Sequence, residues 1–146
     1  MMSYDSKKIY ISLIIFALFF IHPVLADNFR AGAGGMQIKD MQLGLGKVAT
    51  VGMIATIHFT AWLDEQGSQG KMIYNSRDHG EPISFVIGTD RVMPAWNKGV
   101  LGMQPGGQRL LLVPPAMAYG NRAIQDDIPA NTSLIFNFEL LELRSK

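Results

Sequence analysis

Three short motifs in the second half of the chain carry its most suggestive side chains: VMPAWNKGV, which holds Trp96; PPAMAYG, which holds Tyr119; and IPANTSLIFNFELLEL, which holds Phe136 and Phe138. Rings and aliphatic groups fill them, and no acid, base or thiol is grouped among them. Such a set works by shape and by excluding water, not by transferring protons. Other chemistries lack their parts. The histidines are His22, His58 and His79, there is no cysteine, and no serine sits in a nucleophile-elbow setting, which removes the usual triads and His/Cys metal sites. His58 alternates with apolar neighbours and is expected on a solvated strand face. Gly44 and Gly46 resemble the start of a nucleotide-binding loop, but no helical pattern follows, and a hairpin turn is expected there. Asn131, Thr132 and Ser133 match a glycosylation acceptor, of consequence only in a eukaryotic secretory pathway.

The elements that must position these residues follow from periodicity. From Ile54 to Leu63, Ile57, Phe59, Ala61 and Leu63 share one face while Thr56, His58, Thr60 and Trp62 share the other, the pattern of a strand with one side on a core. Leu134, Phe136, Phe138 and Leu140 repeat the period of two. Pro94 suits the first position of a helix, the following turn sets Trp96 and Val100 on one side, and Gly102 ends it. Pro105, Gly106 and Gly107 turn into a strand over Gln108 to Val113. Pro114 to Pro129 forms a long aperiodic connection, the kind that usually carries function. Short β-patterned runs separated by glycine-rich or polar punctuation point to an antiparallel sheet.

Lys7 and Lys8 precede an apolar run from Ile9 to Ile21, followed by His22, Pro23, Val24, Leu25 and Ala26. This is the layout of a secretory signal peptide cleaved after Ala26; the run stops short of the roughly 20 apolar residues that a bilayer span needs. Residues 1–26 are therefore read as a signal peptide, 27–35 (DNFRAGAGG) as a flexible tail, and 36–146 as one folded domain. The whole chain has formal charge +1, and loss of Asp5, Lys7 and Lys8 with the leader leaves it neutral. No basic face supports binding to nucleic acid or to an anionic membrane, and membrane contact is expected only through the leader. The expected location is the periplasm of a Gram-negative source and otherwise the cell exterior, and without cysteine the exported domain is held by its core alone.

From His58 onward the motifs IHFTAWL, GKMIYNSRD, PISFVIG, VMPAWNKGV, GMQPGGQR, PPAMAYG and IPANTSLIFNFELLEL resemble, in order and spacing, those of the FKBP-type peptidyl-prolyl cis-trans isomerases, and the resemblance extends over roughly Met36 to Leu143. It implies an α+β fold in which a five- or six-stranded antiparallel sheet wraps around one short helix. It also implies that Trp96 is the floor under a substrate proline ring, with Phe85, Val92, Met93 and Phe136 as apolar walls. Tyr119 would donate its hydroxyl to a substrate carbonyl, the Met93 amide would donate to bound ligands, and Ile128 would close the rim. Catalytic roles thus fall to Trp96, Tyr119 and Phe85. The implied partners are proline-containing polypeptides and tacrolimus-like macrolides, met by a monomer without cofactor or metal.

Departures from the family pattern gather in one corner of that pocket. Phe59 stands where a tyrosine is common, Tyr74 where an aspartate is common, and His79 where the partner arginine often stands. Ile73 and Ile83 occupy usual phenylalanine positions and trim the aromatic wall. Replacing a whole hydrogen-bonding set can be nearly neutral, whereas losing one member leaves a buried group unpaired, so a rebuilt corner is expected. Two functions of different class follow: an isomerase assisting the folding of exported proteins, or a proline-peptide binding module or holdase chaperone with little turnover.

Overall fold

The two period-two runs become the longest strands of the sheet. In the computed structural model, which describes residues 28–146, the strands are β1 (Arg30–Ala31), β2 (Gln37–Gln42), β3 (Ile54–Glu65), β4 (Ser68–Asn75), β5 (Ile83–Val86), β6 (Gln108–Val113) and β7 (Leu134–Arg144), with one α-helix, α1 (Pro94–Val100), before β6. The expected signal peptide lies outside the described residues. Every strand pairing is antiparallel, in the order β1-β2-β6-β7-β3-β4, and β5 pairs with β3. Along one edge of β3 its first residues bond β5 and its last bond β4. The α+β class and the single short helix are as expected, with seven strands in place of five or six.

The added strand comes from the segment read as a tail. Arg30 and Ala31 pair with Ile38 and Gln37, Arg30 forms an ion pair with Asp40 at 3.4 Å, and Lys39 lies over the Phe29 ring. Ala33–Gly35 then make a 3-10 turn. Gly34 has φ of +65° there, and a Cβ on it would run into the Met117 side chain. The alternation of a two-residue strand is too short to be seen in a sequence, which is why glycine and alanine content dominated the expectation of flexibility.

On the inner face, Ile57, Phe59 and Ala61 of β3, Leu134, Phe136, Phe138 and Leu140 of β7, and Leu111 and Val113 of β6 are buried. Across this face lies α1, whose Ala95, Trp96, Gly99 and Val100 are buried. The approach is close: a Cβ on Gly99 would lie 2.5 Å from Leu111 Cδ1, so glycine is what lets the helix sit against the sheet. The outer face of β3 is not simply wet, since Thr56, His58, Thr60 and Trp62 are all half-buried.

One charged residue is built into the inner face. Arg109, 3% exposed, donates from Nε to Asp40 Oδ1 at 2.6 Å and from its terminal nitrogen to the carbonyls of Gly99 at 2.9 Å and Leu101 at 2.7 Å. Those carbonyls belong to the C-terminal end of α1, where the helix dipole favours a cation and the last carbonyls need donors. The arginine thus joins β2, β6 and α1. Burial alone would raise the Asp40 pKa, but its hydrogen bond to and attraction by Arg109, with a lesser share from Arg30, hold it below the ordinary aspartate value of 3.8.

The expected hairpin at Gly44 and Gly46 is corrected. β2 and β3 are not neighbours in the sheet, and the connection instead packs on the turn that follows α1, with Leu45 N donating to Pro105 O at 3.0 Å. A side chain at Gly44 would collide with the Gln104 and Pro105 carbonyls, so the glycine serves a close backbone approach.

A depressed carboxylate pKa gives stability that is present above the ordinary value and is lost as pH falls through the folded-state value. Asp40→Asn is therefore expected to weaken the domain by about 1–2 kcal/mol near neutral pH. Its stability should also fall less than that of wild type as pH drops from about 5 to about 2, as measured by urea unfolding at a series of pH values.

Candidate active site

All eleven residues proposed for the site from sequence fall within one apolar cluster. Phe59, Phe85, Trp96, Ile128 and Phe136 are buried members, while Ile73, Tyr74, Ile83, Val92, Met93 and Tyr119 are partly exposed and pack against them. The indole of Trp96 is the hub. Its ring centroid lies 4.7 Å from Phe59, 5.6 Å from Phe85, 6.0 Å from Phe138 and 6.4 Å from Phe136, within the range of favourable edge-to-face and tilted ring pairs. Phe138, which sequence reasoning assigned only to the core face, thus belongs to the support of the site. Trp96 itself is 9% exposed, and its Nε1 is buried without a hydrogen-bond partner. An unpaired buried donor costs about 1–3 kcal/mol, which the ring packing must offset.

Local structure explains how each side chain reaches this cluster. Pro94 opens α1 at its first position, and Trp96 N bonds Met93 O at 3.0 Å, closing the first turn. The loop before the helix is pinned by Asn97, a residue that sequence reasoning passed over. Its Oδ1 accepts from Gly88 N at 2.7 Å and its Nδ2 donates to Thr89 O at 2.5 Å. With Gly88 and Thr89 bonded to Asn97 and Met93 running directly into Pro94, residues 88–92 are tied to the helix on either side, and Val92 and Met93 pack against the core. Phe85 comes from β5, opposite Ala55, and Phe136 from β7, opposite both Ala61 and Leu111.

The connection from Pro114 to Pro129 is more ordered than its lack of periodicity implied. Pro115–Met117 form a 3-10 turn, Asn131 N bonds Gly120 O at 2.8 Å, and Ile124 and Ile128 exchange backbone hydrogen bonds at 2.8 and 3.2 Å. These contacts bury Ile128 and leave Tyr119 half-buried. No hydrogen bond joins the Tyr119 hydroxyl to another described residue. At the far end, Lys71 of β4 reaches Asp127 at 2.9 Å.

Phe59, Tyr74 and His79, the three positions expected from resemblance to depart from the family's polar set, form one ring stack. Tyr74 lies on Phe59 with centroids 5.0 Å apart and planes 16° from parallel; His79 lies on the other face of Tyr74 at 4.5 Å and 10°. Ala61, directly opposite Tyr74 in the sheet, offers only a methyl group and leaves room for the phenol to lean over Phe59. Beneath the stack, Ser76 is fully buried: its hydroxyl accepts from Phe59 N at 2.9 Å, and its own N donates to Phe59 O at 3.0 Å. The same hydroxyl meets His58 Nδ1 at 2.8 Å. His58 is therefore a bonded, half-buried residue and not the solvated one expected, because the chain after β4 folds back across it.

Cavities flank the cluster. One of about 560 Å³ touches it at Phe85 and Val92, and another of about 310 Å³ at Val92. A polar hollow of about 240 Å³ lies along His58, Thr60, Asn137 and Glu139, with an ion pair between Arg77 and Glu139 at its rim.

Tyr74→Leu keeps apolar bulk but removes both ring pairs. At about 0.5–1.5 kcal/mol per pair, the expected loss is about 1–3 kcal/mol of unfolding free energy. Chemical denaturation of the two proteins measures it, and an unchanged midpoint would show that the stack contributes no stability.

The family model described as FKBP-type peptidyl-prolyl cis-trans isomerase matches residues 46–141. Among curated relatives, an FK506-binding protein of Neisseria meningitidis serogroup B is 37% identical over 110 residues, covering 75% of this chain and 97% of that protein. FK506-binding protein 1A of Neurospora crassa is 40% identical over 111 residues, covering 75% and 89%. Among solved structures, FkpA from Escherichia coli superposes with a TM-score of 0.70 at 29% identity, over 80% of this chain and 52% of that one, so the chain spans about half of FkpA. AtFKBP13 superposes with a TM-score of 0.69 at 29% identity, over 80% and 98%. With the ring cluster, the sheet around one helix and these matches in agreement, the chain belongs to the FKBP-type peptidyl-prolyl cis-trans isomerases.

Proposed function

We propose that the chain accelerates X-Pro isomerisation in exported polypeptides as they fold, by desolvating the prolyl amide on the face of Trp96. The observation that carries this is the packing of rings on the indole within an apolar cluster whose partly exposed members include Tyr74, Val92, Met93 and Tyr119. An X-Pro bond rotates over a barrier of roughly 18–20 kcal/mol, and interconversion takes tens to hundreds of seconds, slow enough to limit folding. When the bond twists, nitrogen loses conjugation with the carbonyl and the group becomes less dipolar. Leaving water then costs the twisted form less than the planar one, so an apolar surface favours the transition state over the ground state.

In this mechanism Trp96 and Phe85 supply the surface under and beside the pyrrolidine, and Phe136 and Ile128 back it. Val92, Met93, Ile73 and Ile83 border it. Tyr119 donates its hydroxyl to the substrate carbonyl, and the Met93 amide offers a second donor. No bond is made or broken by the protein. Export rests on the leader pattern of residues 1–26; among the described residues, no helix is long and apolar enough to cross a membrane. Tacrolimus-like macrolides are proposed as competitive ligands of the same surface, and the active form is proposed to be a monomer of the folded domain, which takes in β1 as well as residues 36–146.

The Phe59–Tyr74–His79 stack favours a second possibility, a proline-peptide binder or holdase with little turnover, because aromatic faces now stand where the family commonly presents a hydrogen-bonding set. A protease-coupled assay on an Ala-Leu-Pro-Phe peptide separates the two. Acceleration by the mature protein at micromolar concentration supports the isomerase; binding seen by tryptophan fluorescence without acceleration supports the binder. In the isomerase, Tyr119→Phe is expected to lower kcat/KM about fivefold, the worth of one neutral hydrogen bond of about 1 kcal/mol, with no loss of stability. Trp96→Leu differs, since the indole is packed among four rings: it should lose turnover and also about 2–4 kcal/mol of stability. Unchanged rates in both variants would remove Trp96 and Tyr119 from the mechanism.

A further inference from the structure

Between β2 and β3 the chain turns five large aliphatic side chains outward within eleven residues. Leu43 is 80% exposed, Leu45 85% and Val51 68%, with Met41 and Val48 about half exposed. Lys47 is the sole charged side chain from Met41 to Met53. Single exposed aliphatics are ordinary on protein surfaces; a row of them with one charge marks a contact surface.

The row is held in this posture by its backbone. Beneath it, Leu45 N bonds Pro105 O, Ala49 N bonds Met103 O at 2.8 Å, Gly102 N bonds Ala49 O at 3.0 Å, and Gly52 N bonds Ile87 O at 2.9 Å. Gln104 Nε2 adds a bond to Gly46 O at 2.7 Å. Main-chain groups and Ala49 face inward, so the longer side chains are left to water on a backbone already ordered. A partner meeting this surface loses little further entropy in the protein, a form of preorganisation.

One end of the row adjoins the loop before α1, outside the ring cluster. Val51 packs at Gly88, where a Cβ would lie 2.7 Å from its Cγ1. Together with Pro94, Leu101 and Val92 it lines the cavity of about 310 Å³, and Val92 lines a second cavity with Phe85, whose ring lies 5.6 Å from that of Trp96.

We propose that this row, continued through the Val51–Val92 groove, is a docking track for the polypeptide that flanks the isomerised bond. The occupant is an extended, aliphatic-rich stretch of an unfolded client. The proposal rests on the isomerase function and names the substrate class of that site: unfolded chains with apolar side chains several residues from the proline, in preference to short peptides. Continuity with the prolyl surface selects this occupant. A bilayer would be favoured by several basic residues near the surface, and the row has one.

The test uses wild type and the triple variant Leu43→Ser/Leu45→Ser/Val51→Ser on two substrates, a prolyl tetrapeptide and an unfolded protein whose refolding is limited by one X-Pro bond. The variant should match wild type on the tetrapeptide. Its acceleration of refolding should fall about tenfold, equal to about 1.4 kcal/mol of client binding, through a raised KM. Val51→Ser alone, which leaves both exposed leucines in place, should show a smaller loss on the protein substrate. Tetrapeptide turnover with equal refolding rates for wild type and variant overturns the docking track and leaves the isomerase standing. No turnover by wild type on either substrate instead overturns the isomerase, and the track with it. Two further outcomes overturn the track: a wild-type dimer that the triple variant dissolves, and flotation of wild type but not the variant with neutral lipid vesicles.

Discussion

A seven-residue helix cannot hold itself, since the cost of ordering its first turn is recovered only over a longer run or through tertiary contacts. Here the recovery comes at the C-terminal end, where Arg109 bonds the Gly99 and Leu101 carbonyls while Asp40 balances its charge. A guanidinium on the inner face of a sheet would ordinarily be costly, and it is tolerated because its donors find partners that themselves lacked donors. This clamp sets where α1 lies, and therefore where the indole lies. The loop that leads to Val92 and Met93 is bonded to the same helix through Asn97, so one short helix carries the indole and anchors that loop.

Beside the indole, Phe59, Tyr74 and His79 form the corner that was expected, from resemblance, to depart from the family pattern. In the structure the three rings stack on one another, Phe59 buried, Tyr74 half-buried and His79 exposed, a favourable arrangement of ring faces. The backbone under the corner remains polar and satisfied, because Ser76 closes both the amide and the carbonyl of Phe59. Stacked rings above and a hydrogen-bonded backbone below thus make up this corner.

Much of this was legible in the sequence where period and position coincide. Strands β3 and β7 followed from alternation, α1 from Pro94 with Trp96 and Val100 one turn apart, and the membership of the apolar cluster from motifs in their family order. What escaped depended on partners distant in the chain. Arg109 reads as a polar position in an alternating strand, and only the helix-end carbonyls beside it explain its burial. His58 had every local sign of a wet face, yet its environment is made by Ser76, 18 residues away. Gly44 carried a turn signal that was correct in kind, but the partner was the segment at Gln104 and not the next strand. The bridge between Ile124 and Ile128 joins two residues within a run that has no period to reveal it.

The placement of β7 has a consequence for how the molecule is made. Its last strand lies at the centre of the sheet, between β6 and β3, and Ala61 pairs with Phe136 across 75 positions of chain. Neither central neighbour can complete its ladder until the C-terminal strand has been synthesised, and such distant pairings form slowly because the intervening loop must first be closed. The pairings of β2 with β6 and of β3 with β4 and β5 need no such wait, so β7 is the strand that joins two partly formed halves of the sheet into one.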